Sequence, residues 1–455
     1  LWLSGIEIDW VSFYSSECRH RLTLPTYPFE RQRYWIEPQS PSSPQSLLPS
    51  SERWALLVQA GQIQASNGLT VVDEPAYVAN KQALEQLCIA YINMAFRQLG
   101  AFPDSDSRCT LAELAEHRQT IPRYHQLLGR WLSVLVESGQ LEQKDNYFAH
   151  LAPCSKMTVE NHLANVEAKW ANNLNFVELI QNCGENLAAV LTGKKEPWDI
   201  FSKLVNEIQD EYNLELAEDC YYKPIIRSVV EQVLKTLTPQ TKLKVLEVGG
   251  GAGITTAELL PLLPPKQTSY TFTDVGRLFL TQAQEKFKDY AFVEYDFLDI
   301  EKSSKEQDFP LHHFDLVIAS NVLHVVRNIE AALENVRSLL APGGIVVIWE
   351  LTQPHLNFDI ADALLMNPID ENDSGRDMGN PFLSKEQWQA ALNRHGFIEV
   401  EAFSETEVFG QHVLVAQADL FSSFNAPDAF TKTSTATVQK AFNPLSRKPD
   451  MADWF

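Results

Sequence analysis

The chain has 455 residues, a hydrophobic fraction of 45% and a formal net charge of -22. This is the composition of a globular protein long enough for two or three domains. A surface this acidic repels phosphate backbones and argues against nucleic-acid binding, and no apolar run is long enough to span a membrane. The six cysteines form no CxxC pair, which predicts free thiols in a reducing, cytoplasmic setting and no metal cluster.

The first 52 residues predict a connecting segment rather than a domain. They begin with LWLSGIEIDW, without a methionine or a basic region, so we expect no signal peptide and a chain cut from something larger. Residues 1–37 end in LTLPTYPFERQRYWIE, which is typical of an extended strip against a neighbouring surface. The Pro/Ser-rich residues 38–52 then predict a linker.

Residues 53–215 predict a mainly helical subdomain. The segment 81–100 repeats apolar residues at three- and four-residue steps and stops at Gly100, a plausible C-cap. A second helix precedes Gly139, and two short strand-like runs follow it, which is the outline of a winged helix. No chemistry is apparent in this half.

Residues 216–419 alternate short β-branched runs with helices, and the segment 420–455 has the composition of a linker. This alternation predicts a parallel, doubly wound sheet with helices on both faces. The last two strands follow one another closely, so we expect them to form a hairpin at the sheet edge.

The first of these strands runs into a glycine turn, KVLEVGGGAG at residues 244–253. A strand, a glycine turn and a helix bind nucleotides. A dinucleotide fingerprint needs glycine where Ile254 stands, and no Gly-Lys-Ser/Thr follows for a phosphate loop. Glu247 inside the strand repels a pyrophosphate and suits an ammonium group. The turn itself offers the backbone of Gly249, Gly251 and Gly253.

Acidic and polar residues end the next strands. Asp274 suits ribose hydroxyls, and either Asp296 or Asp299 suits an adenine amino group. Ser320 and Asn321 end the fourth strand. Together these positions predict a pocket for an adenosine that carries a cationic amino acid and no phosphate, which is S-adenosylmethionine.

Two residues predict the chemistry. His324 lies just past the fourth strand, and Glu350 ends the fifth, so both are expected at the carboxyl edge of the sheet. A carboxylate that holds an imidazole in one tautomer gives a general base. Methyl transfer needs such a base and no metal. A metal-assisted reaction that uses His355 or His412 is the alternative, although no clean ligand set is present.

The long insertion after Glu350 is expected to cover a substrate entrance, with Met366 and Asn367 as candidate substrate contacts and Arg376 nearby. A plain surface loop is the other interpretation. Tyr222, which precedes the sheet in CYYKPI, is interpreted either as closing over the cofactor or as packing.

Several segments resemble the S-adenosylmethionine-dependent methyltransferase domains of modular polyketide synthases: LEVGGGAGITTAELLPLL, YTFTDVGRLFLTQAQEKF, DFLDIEK and FDLVIASNVLHVVRNIEAALENVRSLLAPGG. The resemblance implies a class I methyltransferase fold, with a Rossmann-like doubly wound sheet over 216–419 and an N-terminal helical lid. It implies that the glycine turn, Asp274 and Asp299 bind the cofactor, with Asp299 preferred to Asp296. It also implies that His324 and Glu350 are catalytic.

The resemblance extends to both ends of the chain and to the partners. LPTYPFERQRYWIE is similar to the linker that closes an acyltransferase domain, and MADWF to the start of a ketoreductase region. The implied substrate is an acyl chain on the phosphopantetheine arm of an acyl carrier protein.

Two features of the sequence bear on which atom of the acyl chain accepts the methyl group. The insertion lacks the glycine-tryptophan-rich stretch of carbon methyltransferases in this group, and no dehydratase precedes the domain. Both departures favour methylation of a β-hydroxyl oxygen. The alternatives are methylation of the α-carbon of a β-ketoacyl chain and an inactive scaffold.

Overall fold

The protein is described here by a computed structural model, which covers residues 51–70, 72–104, 107–117, 120–201, 216–238, 240–377 and 379–419. The linkers predicted at 1–52 and 420–455 lie outside the described residues, apart from residues 51 and 52. The boundary predicted between 215 and 216 adjoins an undescribed segment, so the predicted domain limits stay predictions.

The N-terminal half is helical, as predicted. Its helices are α1 (Ser51–Gly68), α2 (Glu74–Gln98), α3 (Leu111–His117), α4 (His125–Glu137), α5 (Lys156–Lys169) and α6 (Leu174–Leu191). Three short strands, β1 (Arg108–Cys109), β2 (Glu142–Lys144) and β3 (Tyr147–Ala149), pair in the order β1-β3-β2. This small sheet beside α3 and α4 matches the winged-helix outline.

Local sequence explains where these helices begin and end. The side chain of Asp73 accepts from the backbone N–H of Ala76 and caps α2, and Ser155 forms a capping box with Thr158 at α5. Gly100, with φ of 67°, follows the C-cap of α2 in the left-handed conformation that glycine adopts without strain.

The C-terminal half is an α/β domain. Its strands are β4 (Leu243–Val248), β5 (Thr268–Asp274), β6 (Val293–Phe297), β7 (Phe314–Ser320), β8 (Leu340–Leu351), β9 (Phe397–Phe403) and β10 (Gln411–Ala418). Its helices are α7 (Ala217–Leu234), α8 (Ile254–Leu259), α9 (Arg277–Lys286), α10 (Ile329–Leu339), α11 (Leu356–Ile360) and α12 (Lys385–Arg394).

The seven strands form one sheet in the order β6-β5-β4-β7-β8-β10-β9. The first five are parallel, and β10 is antiparallel to both of its neighbours. The predicted hairpin exists, but β9 is the edge strand and β10 lies inside the sheet. The reason is burial, since every residue of β10 is buried whereas only the two end residues of β9, Phe397 and Phe403, are buried.

Apolar layers cover both faces of the sheet. Helix α7 packs on one face, and helices α10 and α12 pack on the other. Helix α1, although inside the predicted lid, packs on α7 through Trp54, Leu57 and Ala65. Part of the predicted lid therefore belongs to the covering of the sheet. Within the described residues, no helix has the length and apolarity needed to cross a membrane.

A third apolar layer joins the helical subdomain to the insertion that follows β8. The insertion contributes Phe358, Ile360, Leu364, Met366 and Phe382 to the same buried cluster as helices α2, α4 and α6. The insertion is therefore packed against the helical subdomain, directly beyond the end of β8.

The core of the helical subdomain gives a stability prediction. A Cβ atom at Gly184 in α6 would lie 2.3 Å from the ring of Tyr91. We expect Gly184→Ala to lower the free energy of unfolding by about 1–3 kcal/mol through overpacking, in spite of alanine's better helix propensity. Thermal and denaturant unfolding followed by circular dichroism would measure the change.

Gly129→Ala in α4 is the matched control, because its Cβ would meet Leu111 at an ordinary 3.5 Å. We expect it to stabilise the protein by up to about 1 kcal/mol. Equal stability of the two variants would contradict the described packing around Tyr91.

Candidate active site

The candidate site lies at the carboxyl ends of the central strands. Strand β4 lies between β5 and β7, so the chain continues to one side of β4 and later crosses to the other. In open α/β sheets the ligand crevice opens at such a switch point. The predicted site residues of β4, β5, β7 and β8 meet at this edge.

The glycine turn after β4 holds its backbone open. Gly249 and Gly251 have φ of 61° and 51°, a region that glycine adopts readily. A Cβ at Gly249 would lie 2.2 Å from Val322, whereas a Cβ at Gly251 would have nothing within 4 Å. Gly249 therefore allows β4 to pack against the connection after β7, and Gly251 faces open space that a ligand can enter.

Glu247 points into the domain. Its Oε2 accepts hydrogen bonds from the hydroxyls of Tyr270, at 2.8 Å, and of Thr256, and burial raises the pKa of Glu247 to about 7. These bonds fix the end of β4 to β5 and α8. The predicted contact of Glu247 with an ammonium group stays a prediction.

Asp274 ties the glycine turn to the end of β5. Its two carboxylate oxygens accept from the N–H of Gly251 at 2.9 Å and of Gly276 at 2.7 Å. Burial raises the pKa of Asp274, and these bonds offset part of that effect. A carboxylate accepts about four hydrogen bonds, so capacity for ribose hydroxyls remains.

Two exposed apolar side chains beside Asp274 were missed by the sequence analysis. Val275 is 37% exposed, and Phe297, the register partner of Asp274 at the end of β6, is 44% exposed. Apolar surface at this edge is suited to a flat purine ring. The sequence signal that could have identified this apolar surface is Val275, an apolar residue directly after the acid that ends β5.

Asp299 lies beyond the end of β6 and is partly accessible. Its carboxylate accepts from the backbone N–H of Glu301 at 3.1 Å and pairs with Lys302 at 2.8 Å. Asp296 is exposed, and its Oδ1 accepts from the N–H of Phe297. The preference for Asp299 stays a prediction.

A side-chain hydroxyl at the end of β7 is able to hydrogen-bond a ligand. The Oγ of Ser320 is buried and has no hydrogen-bond partner among the described residues. Asn321 has φ of 49° and donates its backbone N–H to the carbonyl of Trp349 at 2.6 Å, which turns the chain at the strand end. An open glycine backbone, an unpaired hydroxyl, exposed apolar side chains and nearby carboxylates together fit an unphosphorylated nucleoside such as S-adenosylmethionine.

His324 and Glu350 meet as predicted. The Nδ1 of His324 lies 2.6 Å from Oε2 of Glu350, and Oε1 of Glu350 accepts from the N–H of Val322 at 2.9 Å and of Leu323 at 2.6 Å. Glu350 is fully buried and His324 is 6% exposed. Because Glu350 accepts at Nδ1, the proton of a neutral imidazole stays on Nδ1 and Nε2 carries the free lone pair. Nε2 makes no hydrogen bond to a described residue.

Aromatic rings fix the other faces of this imidazole. Phe358 lies edge-on at 5.1 Å between ring centroids, and Phe382 lies at 6.0 Å. Both rings come from the insertion, which also contributes Asp362. Desolvation by the surrounding protein raises the pKa of Asp362, and the interaction with His324 lowers it in part. The sequence analysis did not select these three residues, because their approach to His324 depends on the fold of the insertion.

The remaining predicted site residues, Met366, Asn367 and Tyr222, differ in how accessible they are. Met366 is only 9% exposed and packs in the cluster shared with the helical subdomain, whereas Asn367 is partly accessible. Their contact with substrate stays a prediction. Tyr222 is fully buried, packs on Trp349 and donates its hydroxyl to the carbonyl of Gln411 at 2.5 Å. Contact of Tyr222 with the cofactor stays a prediction.

The fold and the site define a class I S-adenosylmethionine-dependent methyltransferase. A family profile described as a methyltransferase domain matches residues 246–346. The crystal structure of the CurJ carbon methyltransferase matches with 30% identity and a TM-score of 0.73, over 80% of this chain and 99% of that one. The citrinin polyketide synthase CMeT domain, at 23% identity and a TM-score of 0.68, covers 82% of this chain and 99% of its own, and shares the fold.

Curated relatives include the polyketide synthase component of lovastatin nonaketide synthase from Aspergillus terreus, 27% identical over 89% of this chain. The hybrid PKS-NRPS synthetase iccA of Talaromyces variabilis is 35% identical over 39% of this chain. The chain spans 12% and 4% of the lengths of these two proteins. It belongs to the methyltransferase domains that are found in polyketide synthases.

Glu350→Gln tests the acid–histidine pair. The amide would keep the shape, but its NH₂ can donate to Nδ1 of His324 and favour the wrong tautomer. We expect kcat to fall about 10²–10⁴-fold with little change in cofactor affinity. Initial rates and isothermal titration calorimetry would measure both. Glu371→Gln, an exposed change in the same insertion, is expected to leave kcat within about twofold. Full activity of Glu350→Gln would exclude the pair from catalysis.

Asp274→Asn tests the nucleoside site. Loss of the carboxylate removes an acceptor for ribose hydroxyls and loosens the glycine turn, so we expect the Kd for S-adenosylmethionine to rise about 10- to 100-fold. Glu294→Gln is the matched control on the next strand, because Glu294 is exposed and lies three residues before the end of β6. Isothermal titration calorimetry on both variants would measure the Kd for S-adenosylmethionine. Equal weakening by the two substitutions would contradict the assignment.

Proposed function

We propose that this domain transfers a methyl group from S-adenosylmethionine to the α-carbon of a β-ketoacyl chain held by an acyl carrier protein. The observation that carries the proposal is the His324–Glu350 pair, with its free Nε2 at the carboxyl edge of the sheet. The likeness to the CurJ carbon methyltransferase supports carbon as the acceptor. This replaces the oxygen preference of the sequence analysis with its alternative.

The chemistry needs one base. When bound, S-adenosylmethionine supplies an electrophilic methyl group on a sulfonium. In the proposal, Nε2 of His324 takes the α-proton of the β-ketoacyl chain, and the electron pair of that C–H bond moves into the carbonyl as an enolate. The enolate carbon would then form the new bond to the methyl group as the bond between that methyl group and the sulfonium sulfur breaks, and the cofactor would leave as a neutral thioether. Glu350 stabilises the resulting imidazolium through Nδ1.

The missing glycine-tryptophan-rich stretch, which favoured oxygen as the methyl acceptor in the sequence analysis, has a structural explanation. The segment that replaces the glycine-tryptophan stretch buries Leu364 and Met366 against the helical subdomain. Its composition follows from this packing and so does not identify the acceptor atom. Oxygen methylation of a β-hydroxyacyl chain stays the second candidate, because the same base, Nε2 of His324, could take a hydroxyl proton instead.

The partners follow from the family. Relatives are multidomain polyketide synthases and hybrid synthetases. We propose a phosphopantetheine-bound acyl substrate on a carrier protein, with acyltransferase and ketoreductase regions as neighbours in the same polypeptide. We also retain the predicted division into a helical lid at 53–215 and a methyltransferase core at 216–419.

Intact-mass analysis of carrier-bound β-ketoacyl and β-hydroxyacyl chains tests the proposal. With S-adenosylmethionine, we expect the ketoacyl form alone to gain one methyl group. His324→Ala is the control and should abolish the gain. A gain on the hydroxyacyl form alone would establish oxygen methylation, and no gain on either would leave the scaffold interpretation.

A further inference from the structure

A buried ion pair lies directly behind the catalytic histidine. The side chain of Arg376, in the insertion after β8, is fully buried and pairs with Oδ2 of Asp373 at 2.6 Å. Asp373 is also fixed by backbone donors, because its two oxygens accept from the N–H of Ile329 at 3.1 Å and of Gly375 at 2.9 Å. The pair therefore joins the insertion to the start of α10.

The guanidinium binds the backbone that carries His324. Its Nη2 donates to the carbonyl of Val326 at 2.7 Å, and its Nη1 donates to the carbonyl of His324 itself at 3.2 Å. His324 lies in the one-turn 3₁₀ helix Leu323–Val325, and a helix end leaves carbonyls without intrahelical partners. The planar fork of arginine satisfies two of them with donors in a fixed geometry, whereas the donors of a lysine ammonium rotate on a flexible stem.

The two ends of this turn are held by different charged groups. Glu350 accepts the N–H groups of Val322 and Leu323 at its start, and Arg376 donates to the carbonyls at its end. The imidazole therefore sits on a segment bracketed by a carboxylate from β8 and a guanidinium from the insertion.

We propose that Arg376 is a positioning residue that holds the His324 turn so that Nε2 is aimed at the acidic proton of the substrate. The proposal rests on the proposed function, since it concerns the same base. Burying an ion pair contributes little net stability, so precise placement is a reason to retain it here. Misplacing a catalytic group by about 1 Å costs on the order of 10² in rate.

Arg376→Lys keeps the charge and removes the fork. We expect kcat to fall about 10- to 100-fold while KM for the carrier-bound chain and the Kd for S-adenosylmethionine change less than about twofold. The matched control is Arg130→Lys. Arg130 in α4 pairs with Asp359 at 2.8 Å and donates to the carbonyl of Gly379 at 2.7 Å, so it holds the same insertion without touching the His324 turn.

For Arg130→Lys we expect near wild-type kcat. Equal losses of kcat in the two lysine variants would overturn the proposal, because order in the insertion as a whole would then explain the effect. Wild-type kcat in Arg376→Lys would overturn it as well.

A second variant keeps the proposal testable if Arg376→Lys fails to fold. Asp373→Asn combined with Arg376→Gln removes both charges, so no unpaired charge is left buried. For this double variant we expect the same fall in kcat as for Arg376→Lys. We expect calorimetry to show that it still binds the cofactor fully. A folded double variant with wild-type kcat would contradict the proposal.

A readout without substrate separates this inference from the proposed function. The Nδ1–H proton of His324, hydrogen-bonded to Glu350, is expected as a downfield NMR resonance in the wild-type protein, assigned by its absence in His324→Ala. We expect it to weaken or broaden in Arg376→Lys and to persist in Arg130→Lys. An unchanged resonance in Arg376→Lys would overturn the positioning role, even if the wild-type protein methylates a different atom.

Discussion

The candidate site depends on how one buried carboxylate is satisfied. Glu350 has no exposed surface, and an ionised carboxylate buried without partners is strongly unfavourable. It has three partners, the N–H groups of Val322 and Leu323 and the imidazole of His324. These donors must come from the segment that follows β7, so the turn after that strand is bound to the end of β8.

Sheet register makes this arrangement possible. Ser320 at the end of β7 pairs with Trp349, the residue before Glu350. The parallel neighbours therefore end at the same level, and the chain leaving β7 passes directly over the carboxylate. Asp274 acts similarly on the other side of the switch point, where it accepts from Gly251 and ties the end of β5 to the turn after β4. Two buried carboxylates thus hold the turns after β4 and β7 at the same edge of the sheet.

The insertion after β8 connects the two halves of the described chain. Arg123 and Tyr124 of the helical subdomain donate to carbonyls of residues 364–366, and Gln126 exchanges two hydrogen bonds with the backbone of Ile369. The same insertion places Phe358 and Phe382 against His324. The surroundings of His324 are consequently shared between the sheet and the insertion that packs on the helical subdomain, and apolar rings limit the access of water to its imidazole.

Local patterns in the sequence determined the alternation of strands and helices, the glycine turn, Asp274 at the end of β5, and His324 and Glu350 at the ends of neighbouring strands. These could be predicted because strand periodicity and parallel topology bring strand ends to one edge. The tertiary structure decided the rest. It placed β10 inside the sheet, buried Tyr222 against Trp349, and brought Arg376 and Phe358 to a histidine distant in sequence. Those outcomes depend on packing between segments far apart in the chain, and no local periodicity encodes such contacts.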